Sequence, residues 1–75
     1  MNAKEIADMA DMIVAGYAYK VKDDYIEVTD LSQPTKTAVI QGGQVVESLM
    51  TDEEDDILLK YYTVNKDLLE GMLGS

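Results

Sequence analysis

The chain has 75 residues, 15 of them acidic against 6 lysines, for a net charge of −9, and it lacks arginine, histidine, cysteine, tryptophan and phenylalanine. That length admits a single domain burying roughly 60% of the surface its unfolded chain exposes, and without cysteine no disulfide supplements the core. The charge excludes phosphate-neutralising contacts to DNA or RNA and attraction to anionic lipid, and it favours basic protein surfaces instead.

Residues 2–16 predict an amphipathic helix. Asn2 and Glu5 have capping-box spacing, and Ile6, Met9, Ala10, Ile13 and Tyr17 recur at intervals of three and four. Gly16 is the expected stop, because glycine accepts the left-handed conformation at a helix end. Met12 falls off this apolar face, so it is either exposed or part of a contact. Lys4 is followed at once by Glu5, and Asp8 and Asp11 break up the next stretch, so no secretory pattern forms. The longest apolar stretch, Met12 to Tyr19, falls far short of the ~20 residues a membrane span needs. The expectation is a soluble, cytoplasmic protein.

Residues 17–30 predict a β-hairpin. Tyr17, Tyr19 and Val21 alternate with Ala18, Lys20 and Lys22, Asp23-Asp24 supplies a two-residue turn, and Ile26 and Val28 alternate with Tyr25, Glu27 and Thr29. This register sets Val21 opposite Ile26 and Tyr19 opposite Val28 on one apolar face, with Lys20 opposite Glu27 and Lys22 opposite Tyr25 on the other. A loop around Pro34 follows, since proline donates nothing to a ladder. A second hairpin has strands near 36–41 and 44–50 around Gly42-Gly43. A strict two-residue loop pairs Ala38 with Glu47 and mixes the faces. A three-residue loop, Gly42-Gly43-Gln44, pairs Ile40 with Val46 and Ala38 with Ser48 and is preferred.

Thr51 and Glu54 form a capping-box pattern, and Asp52, Glu53, Glu54, Asp55 and Asp56 crowd the first turns, where the helix dipole favours negative charge. Ile57, Leu58, Tyr61, Val64, Leu68 and Met72 form a helical stripe. Thr63-Val64-Asn65 is poor helix material and Asn65 is a good cap, so a break is expected there, with a short last helix from 66 to about 70 ended by Gly71. The predicted fold is α+β: an N-terminal helix, two β-hairpins forming an antiparallel sheet, and one or two C-terminal helices packed on one face. No linker divides residues 1–75.

Little of this supports catalysis. There is no cysteine nucleophile or histidine base, and Ser32 and Ser48 have only carboxylates or lysines to activate them. Zinc lacks its preferred ligands. An EF-hand loop counted from Asp52 puts Ile57 where glycine is needed and Thr63 where the bidentate acid is needed, so a calcium role would rest on the acidic run alone. Gly42-Gly43 lacks the residues of a phosphate loop. No enzyme activity, cofactor or metal is expected.

The acidic run is the sharpest feature. A charge run commonly serves as a solvated helix start. The functional alternative is an anionic recognition surface of Glu47, Asp52, Glu53, Glu54, Asp55 and Asp56, with one of the adjacent Tyr61 and Tyr62 exposed beside it. Tyr62 is taken as the anchor. In size and charge the chain resembles phage-encoded nucleic-acid mimics, such as anti-restriction and anti-CRISPR proteins. The resemblance implies an inhibitor or regulator that occupies a basic, nucleic-acid-binding protein. The alternative is a homodimeric assembly module using the face with Val39 and Val45, or the last helix with Leu69 and Leu73, the acids then serving solubility.

Overall fold

The computed structural model describes residues 3–71, so Asn2, Met72 and Leu73 lie outside the described residues. A short helix, α1 (Ala3–Met9), leads into five strands: β1 (Met12–Val14), β2 (Tyr17–Val21), β3 (Ile26–Asp30), β4 (Thr37–Gln41) and β5 (Gln44–Ser48). They form one antiparallel sheet in sequence order, followed by α2 (Asp52–Val64) and α3 (Lys66–Glu70). The α+β class, with helices before and after an antiparallel sheet, is as predicted, but the sheet has five strands in place of the four of two hairpins.

The first helix is shorter than its periodicity suggests. Residues 12–14 are a strand, with Met12 opposite Tyr19 and Val14 opposite Tyr17. Met12 and Val14 pack against the core, which accounts for Met12 standing off the helical stripe. Asp11 secures the entry to β1. Its backbone N–H donates to Tyr19 O (2.9 Å), and its carboxylate accepts the Val21 N–H (2.8 Å) beside Lys20 Nζ (3.6 Å). Gly16 therefore ends no helix. With Ala15 it forms a two-residue hairpin turn in which both φ are positive, 54° at Ala15 and 82° at Gly16, as a type I′ turn requires. Alanine in that region is strained by roughly 1–2 kcal/mol, whereas asparagine tolerates it. Ala15→Asn is expected to stabilise the fold by about 0.5–1 kcal/mol, read as a higher urea midpoint at unchanged slope.

The β2–β3 hairpin has the predicted register, with Tyr19 opposite Val28, Lys20 opposite Glu27 and Val21 opposite Ile26. In the second hairpin the loop differs. Gln41 pairs with Gln44 across the two residues Gly42-Gly43, both at positive φ (64° and 79°). Ile40 therefore faces Val45, not Val46. The extra residue sits in the ladder instead, as a bulge between Ile40–Val45 and Val39–Glu47, and it restores the expected pairing of Ala38 with Ser48.

Tyr17, Tyr19, Ile26, Val28, Ala38 and Ile40 present one sheet face to Leu58, Tyr62 and Leu69 from the C-terminal helices, and together they form the core. The buried stripe of α2 is rotated from the predicted one: Leu58 and Tyr62 are buried, while Ile57 and Val64, and Leu68 in α3, are exposed. Two polar joints set that rotation. Tyr19 Oη donates to Leu58 O (2.6 Å), and Ser48 Oγ donates to Asp55 Oδ1 (2.6 Å). Asp55, Leu58 and Tyr62 lie three and four residues apart, on one helical face. The expected break falls at Asn65. Its side chain does not cap α3 but donates to Tyr61 O (2.9 Å), closing the end of α2.

The other sheet face is only half covered. Ile6, Met9 and Ala10, from α1 and the residue after it, stand over Ala18, Thr29 and Thr37, framing a depression of about 280 Å³. Beyond it, over β4 and β5, no helix of the described residues covers the sheet.

Candidate protein-binding surface

Thr51 opens α2 with a complete capping box. Its hydroxyl accepts the Glu54 N–H (3.2 Å), and Glu54 Oε1 accepts from the Thr51 N–H (3.4 Å). Glu54 Oε1 also pairs with Lys36 Nζ at 3.4 Å, which ties the helix start to the residue leading into β4. The Glu54 carboxylate is close enough to Tyr17 to add to the effect of burial in raising that hydroxyl's pKa. Asp55 accepts from Ser48, whose Oγ also accepts the Met50 N–H (2.9 Å). Glu54 and Asp55 therefore hold the helix on the sheet and are only partly exposed.

Asp52, Glu53 and Asp56 have a different setting. All three are exposed, and among the described residues no hydrogen bond or ion pair engages their side chains. Asp56 follows Asp52 by four residues and Glu53 by three, so the three carboxylates share one outer face of the first turns. Carboxylates are favoured there by the helix dipole, so their concentration costs the fold little.

Two residues assigned to this surface from the sequence lie elsewhere. Tyr62 is only 3% exposed and belongs to the core, so it cannot anchor a partner. The stripe predicted through Tyr61 placed Tyr62 outside; the rotation set by Tyr19 and Ser48 turns it in and leaves Tyr61 half-buried. Glu47 is exposed, but it neighbours Ser48, which points to α2, and so it stands on the opposite sheet face. There it lines a groove with Tyr25, Glu27, Val39, Gln41 and Val46. Of these, Tyr25 and Glu27 show in the sequence only the alternation of a hairpin strand. The faces offered for self-association divide in the same way. Val39 and Val45 point to opposite sides, because Val45 pairs with core-facing Ile40, and Leu69 is fully buried.

Asp30 serves the fold. Its Oδ1 accepts from Ser32 Oγ (2.7 Å) and the Ser32 N–H (2.9 Å), shaping the loop before β4. The Ser32 hydroxyl, chief among these contacts, holds the carboxyl below its ordinary 3.8 despite burial. Among the described residues, no group of three or more acidic side chains is arranged to hold a metal ion, and no helix is long and apolar enough to cross a membrane.

No curated protein and no solved structure matches this chain. A family model does match, over residues 1–69, and by that match the chain belongs to the Family of unknown function (DUF7723).

Proposed function

We propose that this protein is a non-enzymatic binding module that engages a basic protein surface through the carboxylates opening α2. The reading is carried by the division of labour within the acidic run. Glu54 and Asp55 are committed to the fold, while Asp52, Glu53 and Asp56 stand exposed on one face with no partner among the described residues. The fixed helix start holds these three in place, and the net charge of −9 extends their field. Such a surface accelerates encounter with a cationic partner and weakens with salt. A basic protein that itself binds nucleic acid has the complementary field, and occupying it would inhibit or regulate it.

The test is affinity capture from the lysate of the source organism, washed at low and at high salt, using the natural chain and the D52N/E53Q/D56N variant. A basic protein retained at low salt and released at high salt is expected. The variant should bind it about tenfold more weakly, since each exposed charge contributes a few tenths of a kcal/mol to about 1. Capture that survives high salt, or that the variant leaves unchanged, would overturn the reading.

A further inference from the structure

The half of the sheet that α1 leaves open has an unusual cross-strand row. Glu27 of β3 pairs with Val39 of β4, and Val39 pairs with Glu47 of β5. All three face away from the core. Two acids thus flank one aliphatic residue across adjacent strands, with backbones roughly 10 Å apart at two strand spacings. Neither carboxylate has a hydrogen bond or ion pair among the described residues; Lys20, opposite Glu27, is paired with Asp11 instead. The row runs through a groove of about 510 Å³ whose walls include Tyr25 and Val46. A neighbouring depression continues it from Val39 and Glu47 to Leu49. Val46 and Leu49 are 51% and 70% exposed, so the strip carries substantial uncovered apolar surface.

We propose that this strip docks an extended segment of a partner protein that carries an arginine or lysine, with the cation between Glu27 and Glu47 and its stem on Val39 and Val46. Long basic side chains lay an apolar stem on aliphatic surface while the charged head seeks carboxylate, and this strip presents both in that order. The Tyr25 ring adds a face for the cation. A second copy of the chain fits less well, because each copy brings a net charge of −9 and its own Glu27 and Glu47. The proposal rests on the reading that the partner is basic, but it names a surface separate from the start of α2.

The test is an amide NMR titration of the full chain with a capped Thr-Val-Arg-Val-Thr peptide, and with the same peptide carrying citrulline for arginine. Saturable shifts are expected at Tyr25, Glu27, Val39, Val46 and Glu47. Affinity should fall about five- to tenfold with citrulline and equally in E27Q/E47Q, as for loss of a charge-assisted contact on an exposed surface. Shifts centred on Asp52, Glu53 and Asp56 would overturn the strip while leaving the anionic reading intact. Equal binding of both peptides would overturn the charge-based occupant. The same amides shifting when the protein alone is concentrated would assign the strip to a second copy. No saturable shift would also overturn it, and the salt-wash series would then decide the broader reading by itself.

Discussion

Replacing Leu58 by alanine is expected to remove about 3–4 kcal/mol of stability, the range for truncating a leucine whose surroundings collapse only partly. Leu58 is fully buried and sits where α2 crosses the sheet, amid Tyr19, Ile40 and the other core side chains. A domain of this size has only ~4–11 kcal/mol in total, at 0.05–0.15 kcal/mol per residue. The loss should therefore lower the urea midpoint by at least about a quarter, and by most of its value at the lower end of that range, at unchanged slope. The neighbouring Ile57→Ala serves as the comparison. Ile57 is on the exposed side of the same turn, so its truncation should cost well under about 1 kcal/mol. Equal effects from the two would mean that α2 packs by the stripe its periodicity suggests and not through Leu58 and Tyr62.

Tyr19→Phe is expected to cost about 1–2 kcal/mol near neutral pH and to reduce the protein's loss of stability in alkali. The phenol is fully buried and its hydroxyl donates to Leu58 O at 2.6 Å, so deletion removes a buried hydrogen bond that joins sheet to helix. Burial, with smaller contributions from Tyr17 and Tyr61, pushes the hydroxyl's pKa well above its ordinary 10.0. Below pH 10 this group is protonated in both states and adds no pH dependence. Above pH 10 the unfolded chain releases its proton first. The folded state then binds more protons, and stability falls as pH rises, by up to about 1.4 kcal/mol per unit. Phenylalanine removes this contribution. Tyr17, also raised by burial and by the carboxylates of Glu54 and Asp30, leaves a residual slope of the same sign. The check is urea unfolding at pH 7 and at two pH values above 10. Parallel loss in both proteins would show that Tyr19 ionises as readily folded as unfolded.

The β2–β3 hairpin was legible residue by residue, because a two-residue turn and strict alternation leave one register that keeps Tyr19, Val21, Ile26 and Val28 on one face. The Thr51–Glu54 box was legible for a similar reason, since both partners lie within one turn. Residues 10–16 were not. Ile13 and Tyr17 continue a helical period, while Met12 and Val14 fit a strand equally well, and only the pairing with Tyr19 and Tyr17 decides between them. The bulge in β5 was half legible. One extra residue had to be absorbed between Ile40 and Ser48, but nothing local says whether the turn or the ladder takes it.

The candidate surface divides along the same line. By itself the sequence determined the chain's charge, the placement of the acids at a helix start and the cap that holds that start, because these depend on composition and on contacts a few residues apart. Only the tertiary structure decided which acids are engaged by the fold and which stand exposed. Two apolar stripes on α2 compete for one sheet face, and the contest is settled by long-range contacts such as Tyr19 with Leu58, 39 residues apart. That rotation buries Tyr62 and commits Glu54 and Asp55 to the fold, while strand alternation sends Glu47 to the opposite face beside Glu27. Periodicity marks the apolar stripes a helix has, and packing against a distant strand selects the one that is buried.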